Sequence, residues 1–387
     1  MEKKILIEKF QEFFEGAPQL FFSPGRVNLI GEHIDYNGGQ VFPAAITFGT
    51  YGAVLPRPDQ RVRLYSENFK EKGVLEFCLE KDERGNDDGW MIYVKAVVEQ
   101  FKKAGYNVST GFDAYIEGNI PNGAGLSSSA SLELLVAEIL DSLNGLNLSM
   151  LEKVKMCQKA ENEYVGVQCG IMDQFAIGMG KKDHAIRLNT DDLTFEYALA
   201  DLKDCKILIM NTNKKRELAD SVYNERRAQC DAALEQLQTK KKIEFLCDLS
   251  ERDFYEIADI LEDRVLYQRA KHAVTENERV KLAVSALEAG DLDSFGELLK
   301  RSHSSLRHDY EVTGWELDTM VDLACQQDGV LGARMTGAGF GGCAIALVKE
   351  KHLEEARKGI AEKYREIIGY EGDFYVASIG GGTGAWG

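Results

Sequence analysis

The sequence predicts an α+β protein of two domains, and three observations lead there. The stretch Pro121-Asn-Gly-Ala-Gly-Leu-Ser-Ser-Ser-Ala-Ser131 joins an alternating strand pattern to a helical one. Near residue 200 the composition shifts from mixed strand and helix signals to almost unbroken helix. Residues 330–379 then switch back to strand, glycine-rich turn, strand, charged helix and strand. That last order resembles half of a split β-α-β sandwich. The expected domains are 1–200 and 201–387, in keeping with ~100–200 residues per domain.

Taken in order, Ile5, Leu6, Phe10, Phe13 and Phe14 lie on one side of a short amphipathic helix. Residues 20–30 read as extended, and Gly31-Glu-His-Ile-Asp-Tyr-Asn-Gly-Gly39 as a polar loop. Strand signals follow at 41–42, 51–55, 61–65 and 74–79, then an exposed turn at 81–89 and a helix over 90–103. Residues 111–117 alternate as a strand. After the central loop, Leu132, Leu135, Val136, Ile139, Leu140 and Leu143 recur on one helical face, and Leu151, Val154, Cys157, Ala160 and Tyr164 mark a second helix over 149–165. Strands are expected at 184–188, 194–199 and 205–210, and helix from 219 onward and through most of 252–327. The tail Gly380-Gly-Gly-Thr-Gly-Ala-Trp-Gly387 reads as flexible.

A hydrophobic content of 44% with 28% charged residues describes a soluble globular protein. The net charge of −17 argues against a general nucleic-acid or anionic-membrane surface, so a bound polyanion needs a local electropositive pocket. The first ten residues are charged throughout, without the apolar centre of a signal peptide, and no apolar run approaches a membrane span. The eight cysteines are scattered, with no CxxC pair, and read as reduced thiols. The expectation is a cytoplasmic protein with neither nucleic-acid nor membrane partners.

Three stretches carry chemistry. In the central loop, glycines let the backbone approach a ligand, while the free N–H groups and dipole of the helix start attract an anion. Three successive serines add hydroxyls for a phosphate oxygen or Mg²⁺; the plainer alternative is an N-capped helix after a turn. Arg26, Glu32, His33 and Asp35 crowd one short segment, a set suited to the hydroxyls of a polyol, although such a segment in isolation is more often a solvated surface loop. Asp173 stands among Ile171, Met172, Phe175 and Ile177, with Glu161 twelve positions before it. A carboxylate in such surroundings is either paired or catalytic, and spacing alone leaves both open. A Walker loop is absent. Gly337-Ala-Gly-Phe-Gly-Gly342 has the form GxGxxG, yet the apolar run after it reads as a strand, so a hinge or hairpin close to a ligand is the better account.

Together these stretches resemble the galactokinase family of the GHMP kinase superfamily. Gly25-Arg-Val-Asn-Leu-Ile-Gly-Glu-His-Ile-Asp-Tyr36 is similar to the galactokinase signature, Gly123-Ala-Gly-Leu-Ser-Ser-Ser-Ala130 to the superfamily phosphate loop, and Gly332-Ala-Arg-Met-Thr-Gly-Ala-Gly-Phe-Gly-Gly342 to its third motif. The resemblance implies an N-terminal domain like the second domain of ribosomal protein S5, a ferredoxin-like C-terminal domain, and ATP- and Mg²⁺-dependent phosphorylation of galactose at its anomeric hydroxyl by a monomer. It further implies Asp173 as base and Arg26 as its charge-offsetting neighbour; Glu32, His33, Ile34, Asp35 and Tyr223 at the sugar; Ser66, Gly123, Ala124, Gly125, Leu126, Ser127, Ser128 and Ser129 at the nucleotide; and Ser129 and Glu161 on the metal. Ile34 stands where the family often has Thr, and Trp90-Met-Ile-Tyr93 departs from the common Trp-x-Asn-Tyr. An N-acetylgalactosamine kinase and a non-catalytic galactose sensor are the rival readings. Such sensors lack a Ser-Ala pair in the phosphate loop, which is complete here.

Overall fold

The structure is a computed structural model, and it describes residues 1–80, 88–121, 125–214 and 219–387. Residues 81–87 of the expected turn therefore lie outside the described residues, as do Gly123 and Ala124.

Among the described residues, three sheets organise the chain. The largest has six strands in the spatial order Gly384–Ala385, Gln19–Asn28, Pro43–Pro56, Phe112–Gly118, Arg61–Ser66 and Leu75–Cys78. A three-stranded sheet joins Gln40–Val41, His184–Asn189 and Phe195–Leu199. A four-stranded sheet runs Val330–Thr336, Cys343–Lys349, Cys205–Asn211 and Asp373–Ala377. The strand signals at 41–42 and 51–55 belong to different strands, Val41 to Gln40–Val41 and 51–55 to the fourteen-residue Pro43–Pro56.

The strand Gln19–Asn28 positions the site. Its register against Pro43–Pro56 shifts between Pro24 and Arg26. A Cβ at Gly25, in that shift, would lie 2.9 Å from the Leu126 carbonyl oxygen. Glycine here lets the central loop settle on the strand, where Arg26 N–H donates to Leu126 O at 3.3 Å. The helix that follows, Ser128–Asn144, buries Leu134 and Ala137 as well as the expected Leu135, Val136, Ile139 and Leu140. A helix apolar on nearly every side belongs inside a protein.

The next helix, Met150–Lys159, starts at a reciprocal Ser149–Glu152 capping box and widens into a π-turn over Ala160–Val165, which carries Glu161. Helix Met172–Gly178 then carries Asp173 in its first turn.

One alternative and one expectation are overturned. The segment 31–39 is not the solvated surface loop weighed against the polyol reading: Glu32, His33 and Ile34 are buried. The long helix Arg264–Glu288 covers it, with Glu276 Oε1 accepting from Gly31 N–H at 3.1 Å and His272 Nε2 lying 3.1 Å from Glu32 O. Nor is the glycine-rich tail a loose end. Phe21 and Phe22 pair with Ala385 and Gly384, which makes the tail the edge strand of the first sheet.

Candidate active site

A cavity of about 560 Å³ opens where the three sequence motifs meet. Arg26, Glu32, His33, Asp35, Gly125, Ser127, Ser128, Ser129, Glu161, Asp173, Tyr223, Gly337 and Ala338 line it. At its centre the Arg26 guanidinium forks onto Asp173, Nε to Oδ1 at 2.9 Å and Nη2 to Oδ2 at 2.8 Å. Arg26 Nη1 donates to the Gly125 carbonyl at 2.7 Å, so one guanidinium braces both the carboxylate and the central loop. The Ser127 hydroxyl also donates to Asp173 Oδ2. Ser127 stands in the left-handed region, with φ of 60°, immediately before the helix. Arg26 is buried behind the pair, whereas 30% of the Asp173 side chain stays exposed toward the cavity. The carboxylate is therefore held by its donors and still faces the space that a ligand would fill.

The acidic and aromatic wall comes from Glu32, His33, Asp35 and Tyr223. Glu32 accepts from Asn28 Nδ2 at 2.8 Å and from Gly337 N–H at 2.7 Å, with Arg334 Nη2 at 3.4 Å. Burial raises its pKa, opposed chiefly by Arg334 and then Arg26. His33 Nε2 lies 3.1 Å from the Ala338 carbonyl, which can only accept, so that nitrogen carries the proton and Nδ1 accepts from Tyr36 Oη at 2.8 Å. Burial, and next His272, lowers the His33 pKa to about 3, so the ring is neutral and both nitrogens are engaged within the protein. Asp35 abuts Gly170, where a Cβ would fall 2.0 Å from Oδ2. Burial first, and Asp173 second, pushes Asp35 up to about 7. The Tyr223 ring lies 5.3 Å from that of His33.

On the other side, Ser129 Oγ donates to Glu161 Oε1 at 3.2 Å, and Gln174 Nε2 donates to Glu161 Oε2 at 2.7 Å and to Glu133 Oε2 at 3.2 Å. Burial, and then Asp173, pushes Glu161 up to about 7. Glu133, fully buried, is raised well above the carboxylate range by burial and then Glu161.

The sequence-predicted residues do not all share this space. Ile34 is fully buried and packs beside Gly39, off the cavity wall, because the turn over Asp35–Asn37 points it into the core. Leu126 is likewise in the core, and it is its carbonyl that meets Arg26. Ser66 lines a separate cavity of about 140 Å³, which shares Ser128 and Ser129 with the larger one. Sequence reasoning did not assign Asn68 and Phe69 there, nor Trp90, whose ring is near-parallel to Phe69 at 6.2 Å with 12° between planes. It also missed Cys169 and Gly170 beside Asp35. Trp90 had a signal in the Trp-x-Asn-Tyr pattern, which it keeps while Ile92 departs from it, whereas Phe69, Cys169 and Gly170 had none. The GxGxxG stretch forms the turn of an antiparallel hairpin, as its flanking strands implied. Gly337, at φ +83°, faces the central loop so closely that a Cβ would fall 2.5 Å from Gly125 O.

Comparison with known proteins identifies the family. Residues 8–56 match the galactokinase galactose-binding signature, 92–181 the GHMP kinases N-terminal domain, and 283–366 the GHMP kinases C-terminal domain. The chain is 54% identical to the galactokinase of Clostridium acetobutylicum over 380 residues, covering 98% of each chain. It is 52% identical to that of Enterococcus faecalis, covering 98% of this chain and 99% of the other. The crystal structure of Lactococcus lactis galactokinase complexed with galactose is similar with a TM-score of 0.96 at 52% identity, covering 99% of each chain. A mevalonate kinase, at 21% identity, has the same fold with a TM-score of 0.64. Family signature, both GHMP kinase domains and full-length relatives point the same way, and the chain belongs to the galactokinase family of GHMP kinases.

Proposed function

We propose that this protein transfers the γ-phosphoryl group of ATP to the anomeric hydroxyl of D-galactose, giving α-D-galactose 1-phosphate. The observation that carries the reading is the Arg26–Asp173 pair, set between the serine loop and the carboxylate wall within one cavity. Phosphoryl transfer needs little covalent help from a protein; it needs positioning and stabilised charge. Asp173 takes the proton from the sugar hydroxyl as the new O–P bond forms, and Arg26 offsets the charge that develops beside it. Glu32, which retains acceptor capacity beyond its two internal bonds, joins Asp35 and Tyr223 in orienting the sugar hydroxyls, while the His33 ring forms part of the wall. The loop N–H groups and Ser127–Ser129 hold the phosphates. The adenine ring fits the smaller cavity by Phe69 and Trp90, with Ser66 beside it.

The residues present fit Mg²⁺. Among the described residues no group of three metal-ligating side chains gathers, and a nucleotide-bound Mg²⁺ asks the protein for only one or two oxygens. Ser129 and Glu161 supply such a pair, and beside them Glu133 Oε1 and Gln174 Oε1 are buried with no hydrogen-bond partner among the described residues. When bound, the metal offsets negative charge on the phosphates. Ser129→Ala and Glu161→Gln are each expected to raise the Mg²⁺ concentration for half-maximal rate. A change confined to turnover at saturating Mg²⁺ would instead make them phosphate-positioning groups.

The deciding experiment is turnover with ATP, Mg²⁺ and a panel of sugars. A site that reads several hydroxyls through buried, charge-assisted bonds rejects an analogue that misplaces one. Galactose is expected to exceed glucose, its 4-epimer, by well over tenfold in kcat/KM; ~1.4 kcal/mol is less than one such bond contributes. A smaller ratio would remove the 32–35 segment from sugar recognition. N-acetylgalactosamine in the same assay separates the two kinase readings, and tight galactose binding without turnover would identify a sensor.

Among the described residues no helix is long and apolar enough to cross a membrane. We further propose a monomer that works in the cytoplasm, with gel filtration as the check on its oligomeric state.

A further inference from the structure

We propose that the glycine-rich segment Gly380–Trp386 braces the catalytic pair, with Thr383 as its positioning residue. Arg26 and Asp173 sit on different elements, the strand Gln19–Asn28 and the helix Met172–Gly178. The two-bond fork between them depends on how that strand and helix are spaced. Thr383 spans the same two elements from the far side. Its Oγ1 accepts from the Ser23 hydroxyl at 2.9 Å and donates to Ile177 O at 3.3 Å, while its N–H donates to Ile177 O at 3.0 Å. Ser23 is fully buried and three residues before Arg26; Ile177 is one helical turn after Asp173.

The rest of the segment holds Thr383 in place. Gly380 N–H donates to Ala45 O at 2.8 Å and Trp386 N–H to Leu20 O at 2.7 Å, and the Trp386 ring lies 4.9 Å from that of Tyr51. A Cβ at Gly382 would fall 2.4 Å from Gly178 O, so glycine is needed for close approach to the helix end. None of these residues lines the cavity. The segment touches no reactant and acts through Arg26 and Asp173.

The inference rests on the proposed function for its kinetic readout, and the test separates the two. Thr383→Val keeps the branched shape and loses the hydroxyl, while Thr383→Ser keeps the hydroxyl. Thr383→Val is expected to lower kcat on galactose about 10-fold with little change in either KM, short of the ~10²-fold that a 1 Å misplacement can cost. Thr383→Ser is expected to stay within about 2-fold of the unmodified protein in both parameters. A merely structural tail would lower the melting temperature and leave kcat per folded molecule unchanged. Hydrogen exchange of the Arg26 Nε–H, followed by NMR, gives a reading independent of activity, and it should speed up in Thr383→Val alone. Unchanged exchange, unchanged kcat in Thr383→Val, or an equal loss in Thr383→Ser overturns the brace. Should Thr383→Val fail to fold, Ser23→Ala removes the same bond from the other side, and normal kcat there overturns it too. Failure of the unmodified protein to phosphorylate galactose counts against the function, and the brace is then judged by the exchange measurement.

Discussion

Asp173→Asn is expected to lower kcat by ~10²–10⁴-fold while fold and galactose binding persist. The substitution is nearly isosteric, and the amide oxygen can still accept from Arg26 or Ser127. What it loses is the second acceptor oxygen and any capacity to take a proton. Its NH₂ group must also face a donor, since three donors converge on the present carboxylate. Steady-state kinetics beside calorimetric galactose affinity checks the claim. Near-normal kcat would make Asp173 a structural ion pair, the alternative that sequence spacing left open.

The second large effect concerns stability. Glu32→Ala is expected to cost roughly 3–5 kcal/mol, because it removes the carboxylate paired at 3.4 Å with the fully buried Arg334 guanidinium. Arg334 keeps the carbonyls of Asn28 and Leu29 at 3.0 and 3.1 Å, but neither carries a full charge. The Gly337 N–H would lose its acceptor as well, loosening the contact between the third motif and the central loop. Denaturant unfolding of Glu32→Ala, Arg334→Met and the double variant gives the coupling, and the double variant should recover much of the loss. If stability is unchanged while galactose affinity collapses, Glu32 is a sugar ligand alone.

What could be read from the sequence was local. The serine loop, its apolar helix and the strand–turn–strand around Gly337 follow from spacing, because each is set by residues a few positions apart. The pairing of Arg26 with Asp173 was legible only through family resemblance, since 147 positions separate them. Other features had no local cue. The burial of 31–39 depends on Glu276 and His272, more than 200 residues away. Both ring nitrogens of His33 are engaged by groups that spacing cannot place together. Ile34 is next to two cavity residues in sequence, yet the turn at Asp35 sends it inward. The tail misled for a compositional reason: glycines that permit close packing look the same in sequence as glycines that permit motion.

That tail has a consequence for how the protein stays dispersed. Without it, Gln19–Asn28 would be the outer strand of the six-stranded sheet, with a row of unpaired backbone groups flanked by Leu20, Phe21 and Phe22. Long apolar edges recruit other chains, and proteins blunt them with very short outer strands. The two residues Gly384–Ala385, with Trp386 folded against Tyr51, are such a blunt end. A chain that lost its last few residues would carry an aggregation-prone rim whatever became of its chemistry.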